Sequence, residues 1–450
     1  MKVSINMARH GALLCCFLLC SCLVDMGVTK KDGGNDDVDD EAEDFLPDAQ
    51  EDRLDDDAAS ADGCPPLCDC DSAPTPDNDT CGDAAHVGLS GPAVAIHATT
   101  CGAADDTAGT CSPGAGSSDV YYGLEVLMRS DVVIDTVGSA WDTVLTLTGE
   151  ECPGTEIMCN AEAGGASRLS TTLGSGAYRI VVDGEGPESG GPFTLNVDVS
   201  PVNDDCSGAV NIGEASTVAG DTTQASDDPG GACSGASTRG VWYTFSLSLE
   251  EAVYLDTLDG AGWDSVVSVR QGACDGPAVM CLNDSCGGER SLGASVLEPG
   301  TYFVLVSGGD GDGFGPFTLR FLHAPCPGAK PLSAGTNAGN TESAANDMSA
   351  SCGGEAGLDE AYYLALCPGE HEALMDLCDG RSWNTILYVR IGGGGLCGGA
   401  ELACDDDSCS GTSSQRSMLS TSLSGPGLFF IIVDGKTEAN NGEFVLSAAF

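Results

Sequence analysis

An all-β chain is what this sequence predicts: three tandem antiparallel β-sandwich domains, jelly-roll-like, preceded by a disordered acidic linker. Three observations carry the prediction. Gly accounts for 63 of 450 residues and Lys+Arg for only 17, so a helical bundle rich in Ala, Glu, Lys and Leu fits poorly. Apolar residues alternate with period two, as in Val241-Trp242-Tyr243-Thr244-Phe245-Ser246-Leu247, and such short runs are separated by Gly, Asp, Ser and Pro turns. A set of landmarks recurs three times at intervals of about 120 residues, too long for a solenoid repeat of about 20–50, so each copy reads as a domain of its own. The formal net charge of −52 excludes a nucleic-acid partner, because phosphate contacts need clustered Lys and Arg.

From the N-terminus, Lys2 and Arg9 precede an apolar run from Ala12 to Val24. It is too short to cross a hydrocarbon core of about 30 Å as a helix, and residues 1–21 read as a secretory signal peptide. Within it, Leu19-Cys20-Ser21-Cys22 resembles the bacterial lipobox. That resemblance implies cleavage before Cys22, lipidation of Cys22 and a membrane partner reached through the anchor. Leu23 resembles the pattern directed to the outer membrane or cell surface. The alternative is ordinary cleavage and a soluble secreted chain. Residues 22–77 are dense in Asp and Glu, with Lys30, Lys31 and Arg53 as their only cations. Such a segment cannot offset its ordering entropy and reads as a disordered tether.

The three copies span 78–201, 202–324 and 325–450. Trp141-Asp142-Thr143, Trp263-Asp264-Ser265 and Trp383-Asn384-Thr385 align, and downstream Cys152/Cys159, Cys274/Cys281 and Cys397/Cys404 keep one spacing. Apolar runs follow, ending in Asp183-Gly184, Ser307-Gly308 and Asp434-Gly435, and each copy closes on a last strand around Phe193, Phe317 or Phe444. Asn78-Asp79-Thr80-Cys81 and Asn203-Asp204-Asp205-Cys206 open the first two copies; the third opens at Ala324-Pro325-Cys326.

These landmarks, with the aromatic pairs Tyr121-Tyr122, Trp242-Tyr243 and Tyr362-Tyr363, together resemble the bacterial pre-peptidase C-terminal (PPC) domain. The resemblance runs from about residue 78 to 450. It implies a β-sandwich of the kind appended to secreted peptidases, although no peptidase domain precedes the copies here.

Of 24 Cys, Cys15, Cys16, Cys20 and Cys22 fall in the leader region. The even remainder in an exported chain reads as a disulfide framework. Positions present in every copy suggest pairing within the copy: Cys152–Cys159, Cys274–Cys281 and Cys397–Cys404 as one set, Cys81–Cys111, Cys206–Cys233 and Cys326–Cys352 as another. Cys367–Cys378 is expected to replace the apolar contact that Leu247 and Leu258 make in copy two. Cys64, Cys68, Cys70, Cys101, Cys286 and Cys409 are left without assignment. A thiolate zinc site at Cys64, Cys68 and Cys70 is disfavoured by the oxidising compartment and the lack of nearby His.

Catalytic patterns are thin. His86, His97, His323 and His371 are the histidines beyond the leader, and no His-Glu-x-x-His, Gly-x-Ser-x-Gly or phosphate-binding loop occurs. His371, between two Glu, reads as a surface turn residue. The expectation is a chain that is not an enzyme and requires no cofactor. Calcium is the candidate ion, because it takes six to eight hard oxygen ligands; Asp204, Asp205, Asn283, Asp284, Asp405, Asp406 and Asp407 are the candidate metal ligands. Asp310-Gly311-Asp312-Gly313 reads as a turn. Trp141, Trp263 and Trp383 could stack sugars, but their recurrence favours core packing. The function expected is binding or adhesion by three modules whose weak sites sum through effective concentration, towards a protein or glycan partner. The alternatives are an accessory factor working beside a separate carbohydrate-acting enzyme or peptidase, and a purely structural envelope spacer.

Overall fold

Short runs of Val, Ile, Leu, Tyr and Thr broken by Gly, Asp and Pro form strands in every copy, because β-branched and aromatic side chains suit a pleated surface and the breakers supply the turns. The computed structural model describes residues 70 and 73–450, apart from 113–115, 163–164, 188, 214–215, 229–236, 310, 312, 380–382 and 412–414. The signal peptide, Cys22, Cys64, Cys68, Cys233 and nearly all of the tether lie outside the described residues.

The first sandwich contains β1 (Ala85–His86), β2 (Ala93–Thr99), β3 (Val120–Val126), β4 (Ser130–Asp135), β5 (Thr143–Gly149), β6 (Glu156–Ala161), β7 (Arg168–Leu173), β8 (Gly176–Gly184) and β9 (Pro192–Pro201). One sheet runs β1-β3-β8-β5-β6 and the other β2-β9-β4-β7. The second repeats this plan with β10 (Val210–Asn211), β11 (Ser216–Asp221), β12 (Asp227–Asp228), β13 (Thr238–Leu247), β14 (Glu251–Asp256), β15 (Ser265–Gln271), β16 (Ala278–Leu282), β17 (Leu292–Leu297), β18 (Gly300–Gly308) and β19 (Pro316–Pro325). Its sheets are β10-β13-β18-β15-β16, with β12 beside β13, and β11-β19-β14-β17. The third contains β20 (Lys330–Pro331), β21 (Gly335–Asn340), β22 (Glu360–Asp376), β23 (Thr385–Ile391), β24 (Glu401–Asp406), β25 (Met418–Gly435) and β26 (Glu443–Ala449). Here β22 and β25 run unbroken through both layers, joining them as one sheet in the order β21-β26-β22-β25-β23-β24. A register shift between Leu366 and Gly369 lets β22 turn the corner.

Each core is a clamp of two sheets. In the second sandwich Tyr243, Phe245, Val267 and Val304 from one sheet meet Val253, Leu255, Phe317 and Leu319 from the other. The inner tyrosines Tyr122, Tyr243 and Tyr362 meet Phe193, Phe317 and Phe444 edge to face at 6.3, 6.4 and 6.3 Å. Strand register corrects the third aromatic pair. Tyr122 lies opposite Ile180, Tyr243 opposite Val304 and Tyr362 opposite Ile431, so Ala361, not Tyr362, matches Tyr121 and Trp242. A slip of one residue turns every side chain to the other face. Leu366 therefore takes the place of Leu247, and Cys367 points away from its own core.

The outer face of β14 and β17 in the second sandwich packs on the outer face of β22, β23 and β25 in the third. Ala252, Tyr254 and Ala324 share one buried cluster with Ala361, Ile386, Tyr388, Leu428, Phe430 and Ile432. Arg320 adds a hydrogen bond of 3.3 Å to the carbonyl of Pro426. Burial on both faces explains why Phe429-Phe430-Ile431-Ile432-Val433 is apolar throughout, where the corresponding run of the first sandwich carries Arg179. The first and second sandwiches meet more sparsely. Gln224 accepts from the amide of Leu127 at 3.1 Å and donates to the carbonyl of Glu125 at 2.9 Å, and Met128 packs against the second core.

The disulfides differ from all seven expected pairs. Of the four cysteine positions that recur in every copy, the first bonds the third: Cys81–Cys152, Cys206–Cys274 and Cys326–Cys397. The second bonds the fourth in Cys111–Cys159 and Cys352–Cys404, and Cys281 is also disulfide-bonded. Cys81–Cys111, Cys206–Cys233, Cys326–Cys352, Cys152–Cys159, Cys274–Cys281 and Cys397–Cys404 are thereby overturned. The reason is reach. Cys152 sits in the turn beyond β5, while Cys159 lies opposite Thr146 along β6. Three residues of strand beyond Glu156 already span about 10 Å, more than the roughly 4.4–6.8 Å between Cα atoms that a disulfide tolerates; Cys81 and Cys152 stand 5.8 Å apart. Closing loops of about 70 residues instead of 8 raises the chain-entropy effect from about 2.5 to about 4 kcal/mol per bond. Cys367–Cys378 is likewise replaced, by Cys286–Cys367 between sandwiches and Cys378–Cys409 within the third. Cys70 bonds Cys101.

Tyr254 is fully buried although it faces away from its own core. Tyr254→Ala is expected to cost about 3–5 kcal/mol, the range for a buried ring. Val133→Ala, at the matching place in the first sandwich, should stay within about 1 kcal/mol. Equal, small effects in denaturant titrations of both variants would show the two outer faces to be alike.

Candidate binding clefts

The recurrent Trp residues are built into the sandwich ends. The indole Nε1 of Trp141, Trp263 and Trp383 donates to the carbonyls of Pro192, Pro316 and Glu443 at 2.9, 3.0 and 3.2 Å. Trp263 and Trp383 also meet Phe317 and Phe444 edge to face at 6.2 and 6.4 Å. Each ring lies over a glycine with φ of +133° to +145°, Gly191, Gly315 or Gly442, a backbone state that strains any other residue. Packing is thus the common role of all three, and each remains only partly buried.

Two clefts open where sandwiches meet, a usual place for ligand sites. Between the first and second, a space of about 720 Å³ is lined by Met128, Arg129, Asp221, Tyr243, Phe317 and Thr318 among others. Between the second and third, a space of about 580 Å³ is lined by Leu258, Trp263, Glu289, Arg290 and the Cys286–Cys367 bridge with Pro368.

The candidate calcium ligands are placed apart and serve local structure. Asp204 accepts from the amide and hydroxyl of Ser226, both at 2.7 Å. Asp205 precedes the 3₁₀ turn Cys206–Gly208 and makes no side-chain cap hydrogen bond; its backbone carbonyl accepts from the Gly208 amide at 2.9 Å. Asn283 donates to Asp284 at 3.1 Å. Asp284 and Asp407 hold matching left-handed positions, φ 52° and 69°, a state that Asp tolerates better than most residues. Asp405 accepts from the amide of Met418 at 2.7 Å and from Ser408, and Asp406 pairs with Lys436. Among the described residues no group of three or more His, Cys, Asp or Glu is arranged to hold a metal ion. The histidines are likewise dispersed. His97 meets Thr194 at 3.0 Å and His323 meets Glu251 at 2.5 Å. His371 lies within β22 and not in a turn, bonding the carbonyl of Cys367 at 2.9 Å.

Sequence reasoning missed a different set of carboxylates. Val120 lies opposite Val182 and Glu360 opposite Val433, which sets Asp119 against Asp183 and Asp359 against Asp434. Like charges directly opposed are unfavourable, and all four residues are buried. Asp119 accepts from the amides of Asp106 and Thr107, and Asp359 in the same way from Asp347 and Met348. Neither oxygen of Asp434 accepts a well-formed hydrogen bond, and Gly354 and Gly357 crowd it too closely to admit a Cβ. Burial, and then the neighbouring Asp359 charge, pushes the Asp434 carboxyl up to about 8. Burial likewise raises Asp119, Asp183 and Asp359 to about 6. In the second sandwich Gly240 and Ser307 hold these positions, and a half-buried carboxylate arrives from β12 instead: Asp228, pushed up to about 6 by partial burial, accepts from Trp242 at 3.0 Å.

Residues 77–178 and 202–295 match a T9SS-associated family model described as galactose binding domain-like. Among solved structures, the chain is similar to the pre-peptidase C-terminal domain of a Bacillus anthracis collagenase, at 16% identity over 25% of this chain and 93% of that one, with a TM-score of 0.19. It is also similar to the CUB1-EGF-CUB2 region of human MASP-1/3, at 12% identity over 52% and 100% of the two chains, TM-score 0.15. A third similarity is to tandem CBM51 modules of a family 98 glycoside hydrolase from Streptococcus pneumoniae, at 10% identity over 46% and 81%, TM-score 0.16. No curated protein sequence matches the chain.

A carboxyl raised by folding binds its proton more tightly in the folded state, so stability is full below the unfolded value near 3.8 and declines as pH rises through the folded one. For Asp434 the decline runs from about 4 to about 8; Asp119, Asp183 and Asp359 add to it only up to about 6. Asp434→Asn, neutral and of the same shape, is expected to flatten the stability curve between pH 6 and 8 and to exceed the unaltered protein in denaturation midpoint at pH 8. An unchanged slope over that interval would refute the assignment.

Proposed function

We propose that the chain is a non-catalytic, extracytoplasmic glycan-binding protein, held at the bacterial surface by a lipid on Cys22 and acting in adhesion or substrate capture. The observation that carries this reading is the likeness of residues 77–178 and 202–295 to a galactose binding domain-like family. Those stretches lie in the two sandwiches that flank the cleft of about 720 Å³. Eight disulfides among the described residues support export, since such bonds persist in oxidising compartments. With a net charge of −52, a neutral polyol is met without the long-range repulsion that an anionic polymer would feel.

The full-length protein should be retained on an array of hexose-terminated oligosaccharides and not on the matrix alone. Failure to retain any glycan by correctly oxidised protein would remove the reading. Separately, Cys22→Ala is expected to move the chain from the detergent-extracted membrane fraction to the soluble fraction and to abolish an acyl mass increment. An unaltered distribution and mass would rule out the anchor.

A further inference from the structure

We infer that the cleft between the second and third sandwiches seats one pyranose ring, with Trp263 as the platform and Glu289 and Arg290 as its hydrogen-bonding side chains. The inference rests on the glycan reading above and names a site for it. Its basis is a disulfide that changes partner. Val267 lies opposite Leu282 and Leu387 opposite Asp405, so Cys286 and Cys409 hold matching positions four residues further on. In the third sandwich Cys409 bonds Cys378 and closes the space beside the corner. In the second, Leu258 stands where Cys378 would be, and Cys286 reaches across to Cys367 instead. The space that is stapled shut in the third sandwich is therefore open in the second, floored by Leu258 and walled by the bridge.

The lining has the chemistry of a polyol site. Arg290 donates to the carbonyl of Leu258 at 2.6 Å, which fixes the guanidinium at the cleft while its fork carries further donors. Glu289 is an exposed acceptor beside it. A pyranose offers a flat C–H face for the negative face of an indole and hydroxyls that both donate and accept. A carboxylate next to a guanidinium serves such hydroxyls, whereas an anion would meet Glu289 and a cation Arg290. The loop is pre-organised. Ser285 and Arg290 form a bridge, the Ser285 amide donates to Arg290 at 2.8 Å and the Ser265 amide to Glu289 at 2.9 Å. Rigid lining limits the ordering cost of binding. The matching residues elsewhere do not repeat the pair. The first sandwich has Gly165 and Ala166, and in the third Gln415 adjoins Arg416, which is buried.

The test uses the full-length oxidised protein and, as probes, methyl β-galactopyranoside and lactose together with the hexose-terminated array. Glu289→Ala and Arg290→Ala alter exposed side chains. Each is expected to weaken binding about tenfold, the effect of one lost charge-assisted hydrogen bond, with the disulfide mass unchanged in both and the melting temperature unchanged in Glu289→Ala, whose side chain is exposed. Trp263→Phe keeps a ring over Gly315 and should weaken binding less than Trp263→Ala does. If the unaltered protein binds and both surface variants bind within about twofold of it, the site lies elsewhere and this inference fails while the glycan reading stands. If the unaltered protein binds none of these probes, the glycan reading fails and takes the site with it.

Discussion

Each sandwich depends on the corner where the chain leaves one sheet for the other, and buried hydroxyls hold that corner. Ser167, Ser291 and Ser417 donate to the backbone carbonyls of Thr143, Ser265 and Thr385 at 2.5, 2.7 and 2.6 Å. The hydroxyl of Thr257 meets that of Ser265 at 2.7 Å, and Thr136 and Thr143 pair in the same way. A buried polar group left without a partner costs about 1–3 kcal/mol, so these small networks fix which residues can stand there. The third residue of the Trp-Asp-Thr motif is one of them, and the Trp closes the same corner from outside. In the third sandwich Leu377 replaces the first threonine, and the Cys378–Cys409 bridge begins one residue later. A covalent tie thus stands where a hydroxyl contact is missing.

From that corner follows the relation between the second and third sandwiches. Because Leu258 occupies the position of Cys378, Cys286 has no partner within its own sandwich and joins Cys367. This is compatible with folding only because the outer faces of β14 and β25 are already apolar and packed together. Burying an apolar side chain such as those of Ile386 and Phe430 contributes about 1.5–3 kcal/mol. The bridge adds a constraint on the unfolded chain instead of a contact in the folded one. The first sandwich, whose matching faces carry Asp131, Arg168 and Arg179, has no such partner and is tied to the second by Gln224 and the paired carbonyl and amide of its β3–β4 corner.

Much of this was legible in the sequence because it is local. Period-two alternation and turn residues located the strands, and the threefold recurrence located the sandwiches. The recurrence of the cysteines was likewise visible along the chain. Their pairing was not, because spacing along the chain says nothing about which turn meets which strand. Cys152 and Cys159 are neighbours in sequence and remote along a hairpin, whereas Cys81 and Cys152 are joined across 71 residues. The Tyr362-Tyr363 pair misled for the opposite reason. Two aromatic neighbours look alike in a string, and only cross-strand register shows which one faces inward. The apolar run at Phe429–Val433 did carry a signal of two-sided burial, but its meaning required knowing that another sandwich lies outside it. The opposed aspartates were hidden among 69 acidic residues until strand pairing set them face to face.

Composition explains why a fold so charged is held this way. With 17 cations against 69 carboxylates, ion pairs cannot balance the surface, and mutual repulsion disfavours the compact state. The aromatic share is only 6%, so few large rings are available to enlarge the cores. Two devices remain. Disulfides closing loops of about 70 residues reduce the entropy of the unfolded chain irrespective of charge, and carboxyls that must be buried, such as Asp434, take up a proton and shed their charge. The same excess of negative charge bears on ligands. Any anion is opposed at long range. At the cleft between the second and third sandwiches the Cys286–Cys367 bridge and the shared apolar seam tie the two walls to each other.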